Sequence, residues 1–210
     1  TSPVAMAQAF GEPYDPDRVN LFQKLAGILR NTVFESLPEN AIRKTEFETF
    51  AFFESYFSNY IEGTTFEVEE AIEIIYKNKE IPNRYGDTHD VKGTFEICSG
   101  KFEMKKKPSD SDEFIELLRS RHEVILRGRP EKEPGMFKEK TNRAGNTHFV
   151  LPKMVTGTLK AGFDGLASIP SALGRAIYVM FVVSEVHPFN DGNGRIARIM
   201  MNAELVQSEE

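Results

Sequence analysis

The twelve residues His187-Pro-Phe-Asn-Asp-Gly-Asn-Gly-Arg-Ile-Ala-Arg198 hold an imidazole, a carboxylate, two closely spaced glycines and two guanidinium groups. The run Ala176 to Val183 before them is uniformly apolar and predicts a buried helix, while Ile196, Ile199, Met200 and Ala203 resume helical spacing after them. The stretch therefore reads as a loop feeding a helix N-terminus. Such a turn has unpaired N–H groups and the positive end of the helix dipole, and glycines let an anion approach the backbone, so phosphate is the natural guest. Arg195 and Arg198 are three apart and project from one side of the new helix, where they can clamp phosphoryl oxygens. Asp191 is a hard oxygen ligand suited to phosphate-bound Mg²⁺. His187, at the loop entrance, could take a proton from an attacking hydroxyl.

Each residue has an ordinary reading as well. Asp191 alone is a helix N-cap, two arginines on a helix are a solvated face, a His before Pro is a turn residue, and Gly-Asn-Gly is a turn. Each of these accounts for one feature and none for all of them together.

The stretch resembles the Fic family signature, His-Pro-Phe-x-(Asp/Glu)-Gly-Asn-Gly-Arg-x-x-Arg, at every fixed position. The resemblance implies a mainly α fold, a Fic-type helical bundle with a small β-hairpin flap, that moves a nucleotide, usually AMP from ATP, onto a Ser, Thr or Tyr hydroxyl of a target protein. Carried over, His187 is the general base and Phe189 anchors the loop in the core. Asp191 holds Mg²⁺, Gly192, Asn193 and Gly194 form the anion hole, and Arg195 and Arg198 contact the phosphates.

A second element carries chemistry. Phe50, Phe53, Phe57, Tyr60 and Ile61 predict the apolar stripe of a helix, with Glu54, Ser58 and Glu62 largely on another face and Gly63 as the left-handed residue past its end. Ser58 and Glu62 are four apart, so the hydroxyl can orient the carboxylate. A Glu in a last helical turn is also commonplace. The segment Ser58-Asn-Tyr-Ile-Glu62-Gly63 looks like the Ser/Thr-x-x-x-Glu-Gly/Asn inhibitory motif of one class of Fic proteins. The likeness implies that Glu62 pairs with Arg198 in place of the ATP γ-phosphate.

Around these motifs the elements follow in order. Thr1 to Tyr14 reads as a mobile leader. Asp15 caps and Pro16 opens a helix with Phe22, Leu25, Ala26, Leu29 and Val33 as its stripe, ended by Pro38. Thr64 and Glu67 suggest a capping box for a helix burying Val68, Ala71, Ile72, Ile75 and Tyr76, closed by Pro82. From Asn83 to Pro108 the periodicity weakens, and Phe95/Ile97 and Phe102/Met104 alternate as in a small hairpin. Lys105 to Lys107 reads as solvated surface, and His89 and His122 lack metal spacing. Asp110 and Glu113 suggest a capping box for a helix to about Arg127. Phe137 to Leu151 reads as a hairpin turning near Ala144-Gly145-Asn146. It resembles the family's flap, where an open strand edge would register a target segment, and a plain structural hairpin fits equally. Pro152 opens a short helix through Val155 and Leu159, Gly162 to Ile169 is a loop, and Ser168 and Pro170 start the buried helix.

These signals divide the chain into a leader and helix (1–45), a helical segment with the inhibitory motif (46–82), and a core with flap and catalytic loop-helix (83–210), shortened relative to the family at its C-terminus. Purine contacts are left unassigned.

The net charge of −6 opposes general attraction to nucleic acid or an acidic membrane surface. The longest apolar run is far below the ~20 residues a spanning helix needs. Lone Cys98 excludes an internal disulfide, and with no secretory signal at the N-terminus the expected location is the cytoplasm. The expected partners are ATP, Mg²⁺ and a target protein bearing a hydroxyl, with no nucleic acid, no membrane, and homo-oligomerisation open. The alternatives are removal of AMP, transfer of another phosphate-containing group, and a nucleotide-sensing module without turnover.

Overall fold

A computed structural model describes residues 2–9, 11–35 and 44–206. The fold is mainly α, a helical bundle with one small two-stranded hairpin, as the resemblance implied. The helices are α1 (Pro3–Ala9), α2 (Pro16–Asn31), α3 (Lys44–Ile61), α4 (Val68–Tyr76), α5 (Tyr85–Ser99), α6 (Lys101–Met104), α7 (Ser111–Leu126), α8 (Val155–Leu166), α9 (Ala172–Val186) and α10 (Asn193–Val206). None of them is long and apolar enough to cross a membrane.

The centre of the bundle is α9. It packs on α10, α8 and α2, and its buried residues Tyr178, Val179, Val182, Val183 and Val186 join Phe22, Leu118, Leu159, Phe189 and Ile196 in the main core. A smaller core of Phe66, Ile74 and Val91 lies between α4 and α5. Several starts are fixed by side-chain caps. Asp15 accepts from the Asp17 and Arg18 amides, Asp110 from those of Asp112 and Glu113, and Ser171 from that of Gly174.

The structure corrects the sequence reading at several places. Part of the expected leader forms α1. Helix α2 ends at Asn31, before Val33, which is 96% exposed; Pro38 lies outside the described residues. Glu67, not Thr64, precedes α4, and its amide donates to the Glu70 carboxylate. On α4 the buried residues are Ala71 and Ile74, whereas Val68, Ile72 and Tyr76 are exposed. The expected hairpin at 83–108 is α5 and α6. Its pattern misleads because the buried face of α5 carries Thr88, Asp90, Gly93 and Thr94 among its apolar residues, which erases the apolar period. At α7, Glu113 bonds Ser109 rather than completing a box with Asp110. Helix α8 runs on to Leu166 through the expected loop, and the cap of α9 is Ser171 rather than Ser168.

The flap hairpin is shorter than its sequence span. Strands β1 (Arg143–Ala144) and β2 (Thr147–His148) pair antiparallel across a Gly145-Asn146 turn, with Arg143 opposite His148 and Ala144 opposite Thr147. Gly145 takes φ +57, which the tight turn requires.

The largest correction concerns α3. Phe50, Phe53, Phe57, Tyr60 and Ile61 are exposed, Ile61 to 67%. The buried face is Phe47, Ala51, Phe52, Ser55, Ser58 and Asn59, packed on α5 and α10. The polar side turns inward because it has partners there: Ser55 Oγ donates to Val91 O at 2.6 Å, and Asn59 Nδ2 donates to Ser55 O at 2.9 Å and Thr94 Oγ1 at 3.1 Å. Buried polar groups are tolerated when so satisfied.

Candidate functional site

The loop between α9 and α10 begins where α9 runs out. His187 is the C-terminal cap of α9, its amide donating to Val183 O at 2.9 Å, and its backbone is left-handed at φ 51, ψ 60. A non-glycine residue in that region costs on the order of 1 kcal/mol or more, so surrounding contacts must hold it. Its ring stacks on Phe149 of the flap with centroids 3.8 Å apart and planes within 6°. Burial, and then the nearby Lys138 charge, hold the imidazole below the usual histidine pKa, so it is neutral at pH 7.

Phe189 then turns into the core, fully buried, which contributes about 1.5–3 kcal/mol toward fixing the loop. It stacks on His122 of α7 with centroids 3.6 Å apart. His122 Nδ1 accepts the Gly135 amide at 2.9 Å, so the proton sits on Nε2, which lies 3.0 Å from the Asp191 carbonyl and donates to it. Burial pushes the His122 pKa down to about 4. Asn193 is committed to the loop: its Oδ1 accepts the Phe189 amide and its Nδ2 donates to the Phe189 carbonyl, each at 2.9 Å. Its side chain therefore shapes the turn.

Gly192 takes φ +71, which opens the turn into α10. Asp191 sits just before it, half-buried, and accepts the Gly192 amide at 2.6 Å. It is not the N-cap of α10. Burial works against its ionisation, but the Gly192 amide, Arg195 and Lys132 hold the carboxyl below its usual value. Lys132 Nζ lies 3.5 Å from its Oδ2. An ionised carboxylate beside the helix start, with one face toward solvent, fits a Mg²⁺ that arrives on phosphates.

The two arginines have different surroundings. Arg195 is 3% exposed, and its Nη1 bonds Asp90 at 2.6 Å and Asn59 Oδ1 at 3.3 Å. Asp90 in turn accepts Arg129 Nε at 2.8 Å. Burial pushes Asp90 up from its ordinary value while Arg195 and Arg129 pull it back. Arg195 thus locks α10 to α5 and α3 rather than standing free beside Arg198. Arg198 is partly exposed, with Nε donating to Ser58 Oγ at 2.8 Å and Nη2 to Ser58 O at 2.9 Å and Glu62 Oε1 at 2.7 Å. Ser58 therefore holds the arginine, not the Glu62 carboxylate as its spacing suggested.

Glu62 reaches this position through the end of α3. Thr64 N donates to Asn59 O and Gly63 N to Tyr60 O, both at 3.0 Å, with Gly63 at φ +92. This is a Schellman ending, and it places Glu62 at the cap facing α10. A Cβ built on Gly194 would collide with Glu62 Oε1 and lie 3.1 Å from Arg198 Nη1. The carboxylate is seated on the turn that opens α10, where an anion would bind.

Of the residues singled out from sequence, His187, Asp191, Gly192, Asn193, Gly194 and Arg198 lie along the α9–α10 loop and the start of α10, Ser58 and Glu62 meet Arg198 there, Phe189 and Arg195 are buried, and Gly63 ends α3 just past Glu62. The sequence reading missed Lys132, Lys138, Asn142, Phe149, Asn59 and Asp90, and gave His122 only a general packing role. Their signal is tertiary: no spacing links Asp90 to Arg195 across 105 positions.

Residues 112–205 match the Fic/DOC family. Among curated proteins, none matches this chain. Solved structures with the same fold include a Fic family protein from Desulfovibrio desulfuricans G20, with 18% identity, TM-score 0.61, and coverage of 93% of this chain and 59% of that one. A Fic domain containing signaling protein from Bacteroides thetaiotaomicron has 20% identity, TM-score 0.63, and coverage of 90% and 72%. Fic-1 from C. elegans has 22% identity, TM-score 0.61, and coverage of 98% and 60%. The chain spans about three fifths of the length of the first and third of these. The α9–α10 loop and the flap fall within residues 112–205, the span that is similar to the Fic/DOC family, whereas α3 with Glu62 and α5 with Asp90 lie before it.

Proposed function

We propose that this chain is a Fic-type transferase that moves AMP from ATP onto a Ser, Thr or Tyr hydroxyl of a target protein, and that Glu62 restrains it. Similarity to the family over residues 112–205 supports a transferase. The observation that carries the finer reading is the seat of the Glu62 carboxylate, over Gly194 and 2.7 Å from Arg198. A carboxylate satisfies a guanidinium in place of a phosphate oxygen, so its position marks where a distal phosphate belongs.

In this reading His187, neutral and held by the Phe149 stack, takes the proton of the target hydroxyl. The oxygen attacks the α-phosphorus, the bond to pyrophosphate breaks, and pyrophosphate leaves. The amides of Asn193 to Arg195 and the Arg198 guanidinium stabilise the charge that develops on the phosphates. Asp191 would hold the Mg²⁺ that neutralises phosphate charge. The flap edge would align an extended target segment through backbone pairing.

The test uses isotope position. Glu62→Gly incubated with ATP should label protein from the α-phosphate and not from the γ-phosphate, and Glu62→Gly/His187→Ala should not label while still binding ATP. Label from the γ-phosphate would replace AMP transfer with phosphate transfer. Binding without label in Glu62→Gly would leave a sensing module.

A further inference from the structure

Lys138 lies at the base of the flap and is 2% exposed. Among the described residues no carboxylate pairs with it. Its Nζ donates to the His187 carbonyl at 2.8 Å, the Val186 carbonyl at 3.4 Å and Asn142 Oδ1 at 2.6 Å. Asn142 Nδ2 donates in turn to the His187 carbonyl at 3.3 Å and the Phe189 carbonyl at 3.0 Å. The Lys138 amide donates to Pro188 O at 2.9 Å.

Burying an ammonium without a counter-ion is expensive, and fold stability alone would favour an apolar side chain here. What the site offers the charge is the carbonyl end of α9, where the helix dipole favours a cation. The nearer of the two carbonyls that receive it belongs to His187, whose backbone is left-handed and whose ring stacks on the flap. Lys138 therefore touches the strained point of the loop directly.

We propose that Lys138 is a positioning residue that fixes the His187 backbone at the end of α9 and so holds its ring against the flap. This rests on the reading of His187 as the base. The charged groups facing His187 are Lys138 from the flap base, Glu62 from α3 and Asp191 from its own loop. The first opposes protonation and the other two favour it. Burial brings Lys138 itself down to about 8, so it remains mostly charged at pH 7.

The test reads the His187 ring directly, its contact with the flap and its proton affinity, by NMR titration of histidine-labelled protein, and separately the pH dependence of labelling in a Glu62→Gly background. Lys138→Gln keeps a donor for the carbonyls but removes the charge. It should raise the proton affinity of His187 about tenfold, the scale expected for losing one nearby charge. The acid limb of the rate profile should move to higher pH by the same factor, with the KM for ATP nearly unchanged. Lys138→Arg, which keeps the charge, should restore the wild-type titration. Should Lys138→Gln fail to fold, Asn142→Asp, which places a carboxylate beside the ammonium, should move His187 in the same direction. A His187 ring unmoved in its flap contact and its titration in the folded neutral or acidic variant overturns the proposal. A moved titration in a protein that labels nothing upholds the positioning role and defeats the reading of His187 as the base.

Discussion

His122 illustrates how one side chain fixes a loop from behind. Its two ring nitrogens are both occupied while neutral, one accepting from Gly135 and the other donating to Asp191. Burial disfavours the charged ring, and a second proton would in addition face the Gly135 N–H, so the folded state resists it. The pKa falls from 6.5 to about 4. Below pH 6.5 the unfolded chain binds a proton that the folded chain refuses, so this contribution is intact above 6.5 and lost as pH falls toward 4. The size is about 3 kcal/mol, from 1.36 kcal/mol for each pH unit. Urea titrations at pH 7 and pH 4.5 should show that drop, and His122→Phe should flatten it while losing stability at pH 7. At Gly194 the expectation is different. A methyl there must push the flexible Glu62 side chain away, so Gly194→Ala should break the Glu62–Arg198 contact and obstruct the anion turn at once. The cost to stability should stay within about 1 kcal/mol, because a surface ion pair is worth no more. Thermal melting measures that cost, and ATP titration should show weaker binding than Glu62→Gly.

At the scale of elements, α5 carries the site without forming it. Its buried Asp90 receives Arg195 of α10 and Arg129 beyond α7. Removing Asp90 leaves Arg195 buried beside only Asn59 and Asp191, which costs about 3–5 kcal/mol for a broken buried pair. Asp90→Ala should therefore show a large loss in thermal midpoint. The crossing of α5 and α7 is as close as glycine allows: a Cβ on Gly93 would lie 2.5 Å from Val124 O. Backbone cannot yield there, so overpacking of about 1–3 kcal/mol should outweigh the helix gain of about 1 kcal/mol, and Gly93→Ala should be destabilised. These same features hid α5 from the sequence. Its inward face is polar and small, and the alternation of Phe95 with Ile97 imitates a strand. Helix α3 misled in the opposite way, its aromatic stripe facing out because Ser55, Ser58 and Asn59 find partners within. By contrast α2, α7 and α9 were legible because each carries an apolar stripe at helical spacing, interrupted in α7 only by Arg121 and His122, and a cap stands near each start.

For the molecule as a whole, the α9–α10 loop is where separate parts of the chain converge. Helix α2 reaches the flap through Arg18, whose Nη2 donates to His148 O at 3.0 Å. Helix α7 supports the loop through His122, and α3 covers it with Glu62. The loop and its helix could be placed from local sequence, since turn and period lie within twelve residues. The pairing of Glu62 with Arg198 could not, since 136 positions separate them, and it came from family resemblance alone. The central claim is that this carboxylate occupies the place of a distal phosphate, and calorimetric titration of wild type and Glu62→Gly with ATP and with AMP tests it most directly. Removing Glu62 should tighten ATP by at least about tenfold, or 1.4 kcal/mol, and leave AMP unchanged. An equal gain for both nucleotides, or none for ATP, would contradict it.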